Sequence, residues 1–462
     1  MNRRHFVASL AAAGIAATSL PGFGQSRVRA SITIDSSKPG ATIPRDFAGL
    51  SYESAQLANP TFFSSSNAQL IHLFRGLSPN GNLRLGGGSS EFTTYSDADP
   101  VGPPPFEVFG PDTGTTVKHA TVTTALALRN LREFLDATGW SCLYGLNLGQ
   151  GTKENAAAEA AATYRILGPR LVAFQIGNEP DSFRNRYRPA SYGPEEYIKE
   201  WNAFHDAIVA ITPSAKFAGP DISNKLPYLT AFVREAPKHN SVILLTAHYY
   251  AMGPAASPDA TLEQLFTPDP KLATMHAHSL PLVAEAMKTA KLPFRMSEGN
   301  SCWDGGKPGV SDTLASALWC AEMMLRFAQM GWSGVNLHGG GNGFYTPIAG
   351  APSTGLTKRP EYFGIQFAQS FAGSTFVAST LIVAGPNVTG YALEQEGRRR
   401  IALFNTGGLP VELELPSRVS GKAMKLSGPS LESRDGTTFG EVPAARSRNV
   451  VVEGHTGMIY RL

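Results

Sequence analysis

The chain is short of cysteine, of unbalanced charge and of long apolar runs, and each shortage closes off a class of protein. Only Cys142, Cys302 and Cys320 occur in 462 residues, too few and too widely spaced for a disulfide framework or a zinc site. The 40 basic and 37 acidic residues leave a net charge of +3 with no long run of either sign, so there is no electrostatic footprint for nucleic acid. His276 and His278 lack carboxylate or Cys partners at metal-ligand spacing, and no metal is expected. Gly86-Gly87-Gly88 lacks the lysine of a phosphate-binding loop and closes an apolar run, which points to close backbone approach to a ligand. No cofactor is expected.

What is present begins with a leader-like segment over residues 1–24. Asn2-Arg3-Arg4-His5-Phe6 precedes an Ala-rich apolar stretch, Val7–Leu20, that falls short of the roughly 20 residues a membrane span needs. Paired arginines before a weakly apolar stretch resemble a twin-arginine export signal. The expected location is periplasmic or secreted, with no membrane attachment once the signal is cleaved.

With 42% hydrophobic residues, the chain can bury one large domain and a smaller one. Across 46–371, short β-branched runs alternate with longer amphipathic segments. Eight strand candidates follow in order: Phe47–Tyr52, Asn82–Leu85, Cys142–Leu148, Leu171–Ile176, Lys216–Ala218, Val242–Ala247, Phe294–Met296 and Gly334–Leu337. Helix candidates between them include Val122–Ala137, Ala156–Leu167, Glu195–Ile211, Leu280–Ala290 and Leu314–Met330. Eight alternations predict a (β/α)8 TIM barrel rather than an open sheet. After Gly373, short strands punctuated by Gly, Pro and Asn predict a β-sandwich. The strand-like Ala30–Asp35 has no helix of its own, so the smaller domain is expected to combine 30–45 with 372–462.

Two carboxylates stand where a barrel places its chemistry, at the C-terminal ends of strands. Glu179 closes Gln175-Ile176-Gly177-Asn178-Glu179-Pro180 after strand four, and Glu298 closes Arg295-Met296-Ser297-Glu298 after strand seven. Carboxylates flanking one bond are what glycosidic cleavage requires, one protonated to serve the leaving oxygen and one ionised. A separation of about 5 to 5.5 Å means retention of configuration, and one of about 6.5 to 9.5 Å means inversion.

These strand ends resemble those of retaining glycosidases of the large barrel clan. More specifically, Gly49-Leu50-Ser51-Tyr52-Glu53-Ser54, Leu83-Arg84-Leu85-Gly86-Gly87-Gly88-Ser89-Ser90 and Ser297-Glu298-Gly299-Asn300-Ser301-Cys302 resemble glycoside hydrolase family 79, which holds bacterial β-glucuronidases and heparanases. The resemblance implies Glu179 as general acid/base and Glu298 as nucleophile. It further implies that Glu53 binds sugar hydroxyls, that Asn178 contacts the 2-hydroxyl, that Tyr249 sits against the nucleophile, and that Tyr345 meets a uronate carboxylate. His338, ending strand eight, is a candidate support for the nucleophile or sugar. Five residues after the nucleophile the family has Tyr and two glycines, where this chain has Trp303-Asp304-Gly305. Trp303 removes a phenolic donor but can stack on a sugar, Asp304 adds a negative charge, and Gly305 still offers an N–H.

The function expected from these residues is removal of terminal β-D-glucuronic acid, or its 4-O-methyl form, from oligo- or polysaccharides by an exo-acting retaining hydrolase. Within enzymes the alternatives are an endo-acting heparanase-like hydrolase and an exo-glycosidase for a neutral sugar. The near-neutral charge and the insertions Tyr95–Gly114 and Ala251–Met275 weigh against endo action on a polyanion. A non-catalytic carbohydrate-binding surface protein is the alternative of another class, and the two strand-end glutamates weigh against it.

Overall fold

The computed structural model describes residues 28–98, 120–273, 276–341, 343–383 and 387–462. The leader-like segment 1–24 and most of the first insertion lie outside the described residues.

Eight parallel strands close into a barrel: Ala48–Glu53, Asn82–Gly86, Ser141–Leu146, Leu171–Ile176, Phe217–Ile222, Val242–Tyr250, Phe294–Asn300 and Gly334–His338. We refer to them as barrel strands one to eight. Every predicted strand is present, and the barrel is the predicted one. Strands five, six and seven run past the predicted ends because their last turns carry Asp221, His248, Tyr250, Ser297 and Glu298, polar or aromatic groups whose side chains join one cluster at the mouth. The apolar pattern stops where the site starts.

The helices wrap the barrel with apolar faces inward. Leu314–Gln329 buries 13 of its 16 residues, which makes it a core element between the barrel and the second unit rather than a surface helix. The predicted helix Val122–Ala137 needs correction at its start. Thr121–Thr124 is a strand paired with Thr93–Ser96, and the helix runs over Ala125–Thr138, capped by the Thr124 hydroxyl accepting from the Ala127 N–H. β-branched Val122, Thr123 and Thr124 favour the extended strand.

Beside the barrel lies one nine-stranded sheet. Its N-terminal strand, Val28–Thr42, pairs antiparallel with Thr375–Val383 and parallel with Val411–Glu414. Strands from both ends of the sheet share one apolar cluster, in which Val411, Leu413 and Val452 meet Ile401, Ala423 and Tyr460. A sheet whose ends share a core is curled face on face, which is the predicted sandwich. Phe367, on the helix Pro360–Gln369, packs on Phe404 and Phe439 of the sheet with centroids 4.9 and 5.5 Å away, joining it to the barrel.

Candidate active site

Glu179 and Glu298 meet at the mouth of the barrel. Carboxylate oxygens of the two and Nδ1 or Nε2 of His248 lie within 4.8 Å of one another. This trio has metal-ligand atom types, but Glu298 already accepts from Arg84 and Tyr250, and Glu179 meets His248.

Glu298 is buried at the centre of strand seven's exit. Its Oε2 accepts from the Arg84 guanidinium at 2.6 Å and its Oε1 from the Tyr250 hydroxyl at 3.0 Å. His338 Nδ1 lies 3.7 Å from Oε2, and His248 Nδ1 3.9 Å from Oε1. Burial alone would raise its pKa, but the charges of His338, His248 and Arg84 more than offset this and hold it at about 2. The group is an ionised carboxylate.

Glu179 has the opposite environment. It leaves strand four at φ 51°, a left-handed conformation that costs a non-glycine residue on the order of 1–3 kcal/mol and must be held by its surroundings. Its N–H donates to the Asp221 carbonyl at 2.8 Å. Burial raises its pKa, the His248 contact at 3.0 Å offsets part of that, and Glu298 adds repulsion. The net direction is upward, toward a protonated acid.

Three residues with no role assigned from the sequence organise the pair. Arg84, fully buried in strand two, bridges Glu298, Asp221 Oδ2 at 2.5 Å, Asn178 Oδ1 at 2.7 Å, Gln175 Oε1 at 3.1 Å and Ser51 Oγ at 3.2 Å. Its carboxylate partners outweigh the desolvation cost and keep it charged. Asp221 accepts in turn from Ser297 Oγ at 2.5 Å and from the Gln175 amide, and burial notwithstanding, Arg84 and His248 hold it ionised. His248 lies between Glu179 and Asp221, with Nε2 3.2 Å from Asp221 Oδ1. Burial opposes its charge, yet Glu298 and Asp221 push its pKa up to about 10. As an imidazolium it donates Nδ1–H to one oxygen of Glu179, leaving the other oxygen for the acid proton. A guanidinium inside Leu83-Arg84-Leu85 was a legible signal, because a buried arginine requires anions.

The other predicted residues separate. Asn178 lies beside the pair with its Oδ1 accepting from Arg84 at 2.7 Å. Glu53 is buried, accepts from the Ser89 N–H at 2.8 Å and lies 3.6 Å from His338 Nε2. His338 Nδ1 also meets Ser51 Oγ at 3.1 Å, so this histidine stands between Glu53 and Glu298. Tyr345 is buried with its ring 5.9 Å from that of His338 and 6.4 Å from that of Tyr250. The Gly305 carbonyl accepts from the Phe344 N–H at 2.5 Å, which laces the loops after strands seven and eight together beside Tyr345. Trp303 is 45% exposed at the rim, its carbonyl accepting from the Ala255 N–H at 3.0 Å.

Tyr249 is a correction. Tyr250, not Tyr249, meets Glu298, because consecutive strand residues point to opposite faces. Tyr249 faces outward, hydrogen-bonding Asp269 at 2.9 Å and packing on Phe327 and His278. The triple glycine also differs from expectation. A Cβ at Gly86 would lie 2.2 Å from Arg84 Cζ and one at Gly87 2.4 Å from Glu53 Oε2. Those two glycines make room for the site's own charged side chains, and only Gly88 faces open space.

No family model matches the chain. Two curated proteins, each named beta-glucuronidase, are similar in sequence. One from Neurospora crassa is 29% identical over 260 residues, 50% of this chain and 46% of that protein, so the match spans less than half the relative's own length. One from Aspergillus niger is 24% identical over 390 residues, 78% of this chain and 69% of that protein. Among solved structures, a 4-O-α-L-rhamnosyl-β-D-glucuronidase from Fusarium oxysporum superposes with a TM-score of 0.70 at 17% identity, covering 94% of this chain and 100% of that one. A GH51 arabinofuranosidase from Xanthomonas axonopodis pv. citri gives 0.67 at 16% identity over 94% and 99%. At these identities the likeness to solved structures is one of fold.

Proposed function

We propose that this protein is a glycoside hydrolase acting on glucuronides, and more narrowly a retaining exo-β-glucuronidase. The observation that carries the reading is the pair of adjacent carboxylates in opposite environments, Glu298 held ionised at about 2 and Glu179 pushed toward its protonated form. Oxygens of the two within 4.8 Å suit the short separation of retention, about 5 to 5.5 Å, better than the about 6.5 to 9.5 Å that seats a water for inversion.

In this mechanism Glu298 attacks the anomeric carbon while Glu179 gives its proton to the departing oxygen. A covalent glycosyl-enzyme forms on Glu298, and Glu179, now ionised, takes a proton from the water that releases the sugar. As Glu298 loses its charge to the ester, Arg84 keeps Asp221 as counter-ion, so the buried cation is never unpaired. Asn178 faces the 2-hydroxyl, and Glu53 with His338 the remaining hydroxyls.

The glucuronide assignment draws on the curated relatives' names and on Tyr345 with the Gly305 loop as the carboxylate pocket. Exo action is supported by the loop after strand six, whose Ala251 and Met252 N–H groups donate to Asn300 and Ser301 at 3.1 and 2.8 Å, walling the site beside the nucleophile. We place the catalytic unit at 46–371, the second unit at 30–45 plus 372–462, and a cleaved leader at 1–24 that sends the protein to the periplasm or outside the cell. The substrate is a glycan carrying terminal glucuronic acid.

Hydrolysis of p-nitrophenyl β-D-glucuronide beside the matching glucoside, galactoside and arabinoside, with proton NMR of the first-formed anomer, tests the reading. Glucuronide preference with β-anomer product supports it. Neutral-sugar preference, toward which Trp303 and Asp304 lean, overturns the uronate assignment, and first-formed α-anomer overturns retention.

A further inference from the structure

We infer that Glu91 is a positioning residue that presents the acid/base carboxylate, by tying the exits of barrel strands three and four together behind Glu179. It rests on the reading of Glu179 as acid/base but not on which sugar is cleaved.

Glu91 lies in the short 3-10 turn Gly88–Phe92 that follows strand two, and its side chain is 1% exposed. Its Oε1 accepts the N–H of Asn178, the residue before the acid/base, and its Oε2 accepts the N–H of Gly149 beyond strand three. Ser90 Oγ adds a contact to Oε1 at 3.4 Å. The next N–H along, that of Glu179, is pinned on the other side by the Asp221 carbonyl at 2.8 Å. The chain entering the left-handed residue is therefore held at two successive N–H groups, one by the turn after strand two and one by strand five.

A carboxylate is a costly choice for a purely structural tie. Burial raises the pKa of Glu91 to about 7, opposed only by hydrogen bonds from Asn178, Gly149, Ser90 and Leu148, and no cation pairs with it among the ion pairs of the described residues. What a carboxylate supplies that an amide does not is two acceptors at fixed separation with no donor, able to take one N–H from each loop. The space is shaped around it, since a Cβ on Gly149 would lie 2.8 Å from Glu91 Oε2.

General acid catalysis matters most when the leaving group is poor, and this separates positioning from mere stability. The test uses wild type, Glu91→Gln and Gly149→Ala, the second displacing the carboxylate without removing it. Aryl glycosides of whichever sugar the wild type cleaves are compared, from dinitrophenyl to phenyl leaving groups, with thermal midpoints measured alongside. The expected result is a loss in kcat/KM of at least about tenfold on phenyl glycosides, a part of the about 10² to 10⁴-fold that general acids contribute, and under about threefold on dinitrophenyl glycosides. Azide should restore turnover on activated substrates if deglycosylation is slowed. An equal loss across all leaving groups, or none, overturns the inference. A normal leaving-group result on a neutral sugar would leave the clamp standing while the glucuronide reading fails.

Discussion

Among the described residues two arginines are buried in this barrel, one at each end, and they serve opposite purposes. Arg84, at the mouth, faces Glu298 and Asp221 at 2.6 and 2.5 Å. Arg295, at the other end of the barrel, faces Asn336 Oδ1 at 2.5 Å and the carbonyls of Asp46, Phe47 and Ser333. Neutral carbonyls do not repay desolvation as carboxylates do, and burial lowers the Arg295 pKa to about 10, whereas Arg84 is raised. A buried cation among anions tunes chemistry, and a buried cation among carbonyls plugs a barrel. Small residues admit both, because a Cβ at Gly86 would strike Arg84 and one at Gly334 would lie 2.0 Å from Arg295 Nη1.

The largest effect is expected where the charged end is disarmed. Glu298→Gln should lower kcat/KM by about 10⁴-fold or more, as nucleophile removal does, with the fold unchanged by circular dichroism. Full activity in this variant would remove Glu298 from the mechanism.

Arg84→Met comes next, with a fall in kcat of about 10² to 10³-fold, the range for losing one preorganised electrostatic partner. The sign of its pH effect follows from Glu298. A nearby cation favours the ionised form, so removing Arg84 raises the carboxylate's pKa above about 2, and activity is lost earlier as pH falls. The acid limb of kcat/KM should move to higher pH, and an unmoved limb would mean that the histidines alone set the nucleophile's charge.

Arg295→Met sharpens the contrast. Leaving Asn336 and several carbonyls unpaired should cost about 1–3 kcal/mol of stability, read as a lower thermal midpoint, while kcat at moderate temperature stays within about twofold of wild type. A large kcat loss in a folded protein would break the distinction between the two ends.

The smallest pair separates neighbours. Tyr250→Phe removes a hydrogen bond to a charged group and should cost about 10 to 100-fold in kcat/KM, from roughly 1.5–3 kcal/mol. Tyr249→Phe loses only the outward bond to Asp269 and should stay within about threefold. The reverse ranking would place Tyr249 at the nucleophile after all.

The barrel and the curled sheet were legible because their signals are local. Alternating apolar runs such as Leu171–Ile176 state their period within a few residues, and Asn178-Glu179-Pro180 and Ser297-Glu298 mark strand exits. The ends of strands five to seven were not legible, since Asp221, His248, Tyr250 and Glu298 interrupt the apolar runs to serve the mouth. Tyr249 was misplaced because a one-residue difference along a strand reverses which way a side chain points.

By itself the sequence determined where the eight strands begin, that two glutamates lie at strand ends 119 positions apart, and that Arg84 stands in an apolar run. Those are properties of neighbours along the chain. Only the tertiary structure decided that the surroundings favour the ionised form of Glu298 and the protonated form of Glu179, that Asp221 and His248 join them, and that Tyr250 rather than Tyr249 touches Glu298. Charge states depend on burial and on groups within a few ångströms, and strand closure brings Arg84, Asp221, His248 and Glu298 together across as many as 214 positions of sequence.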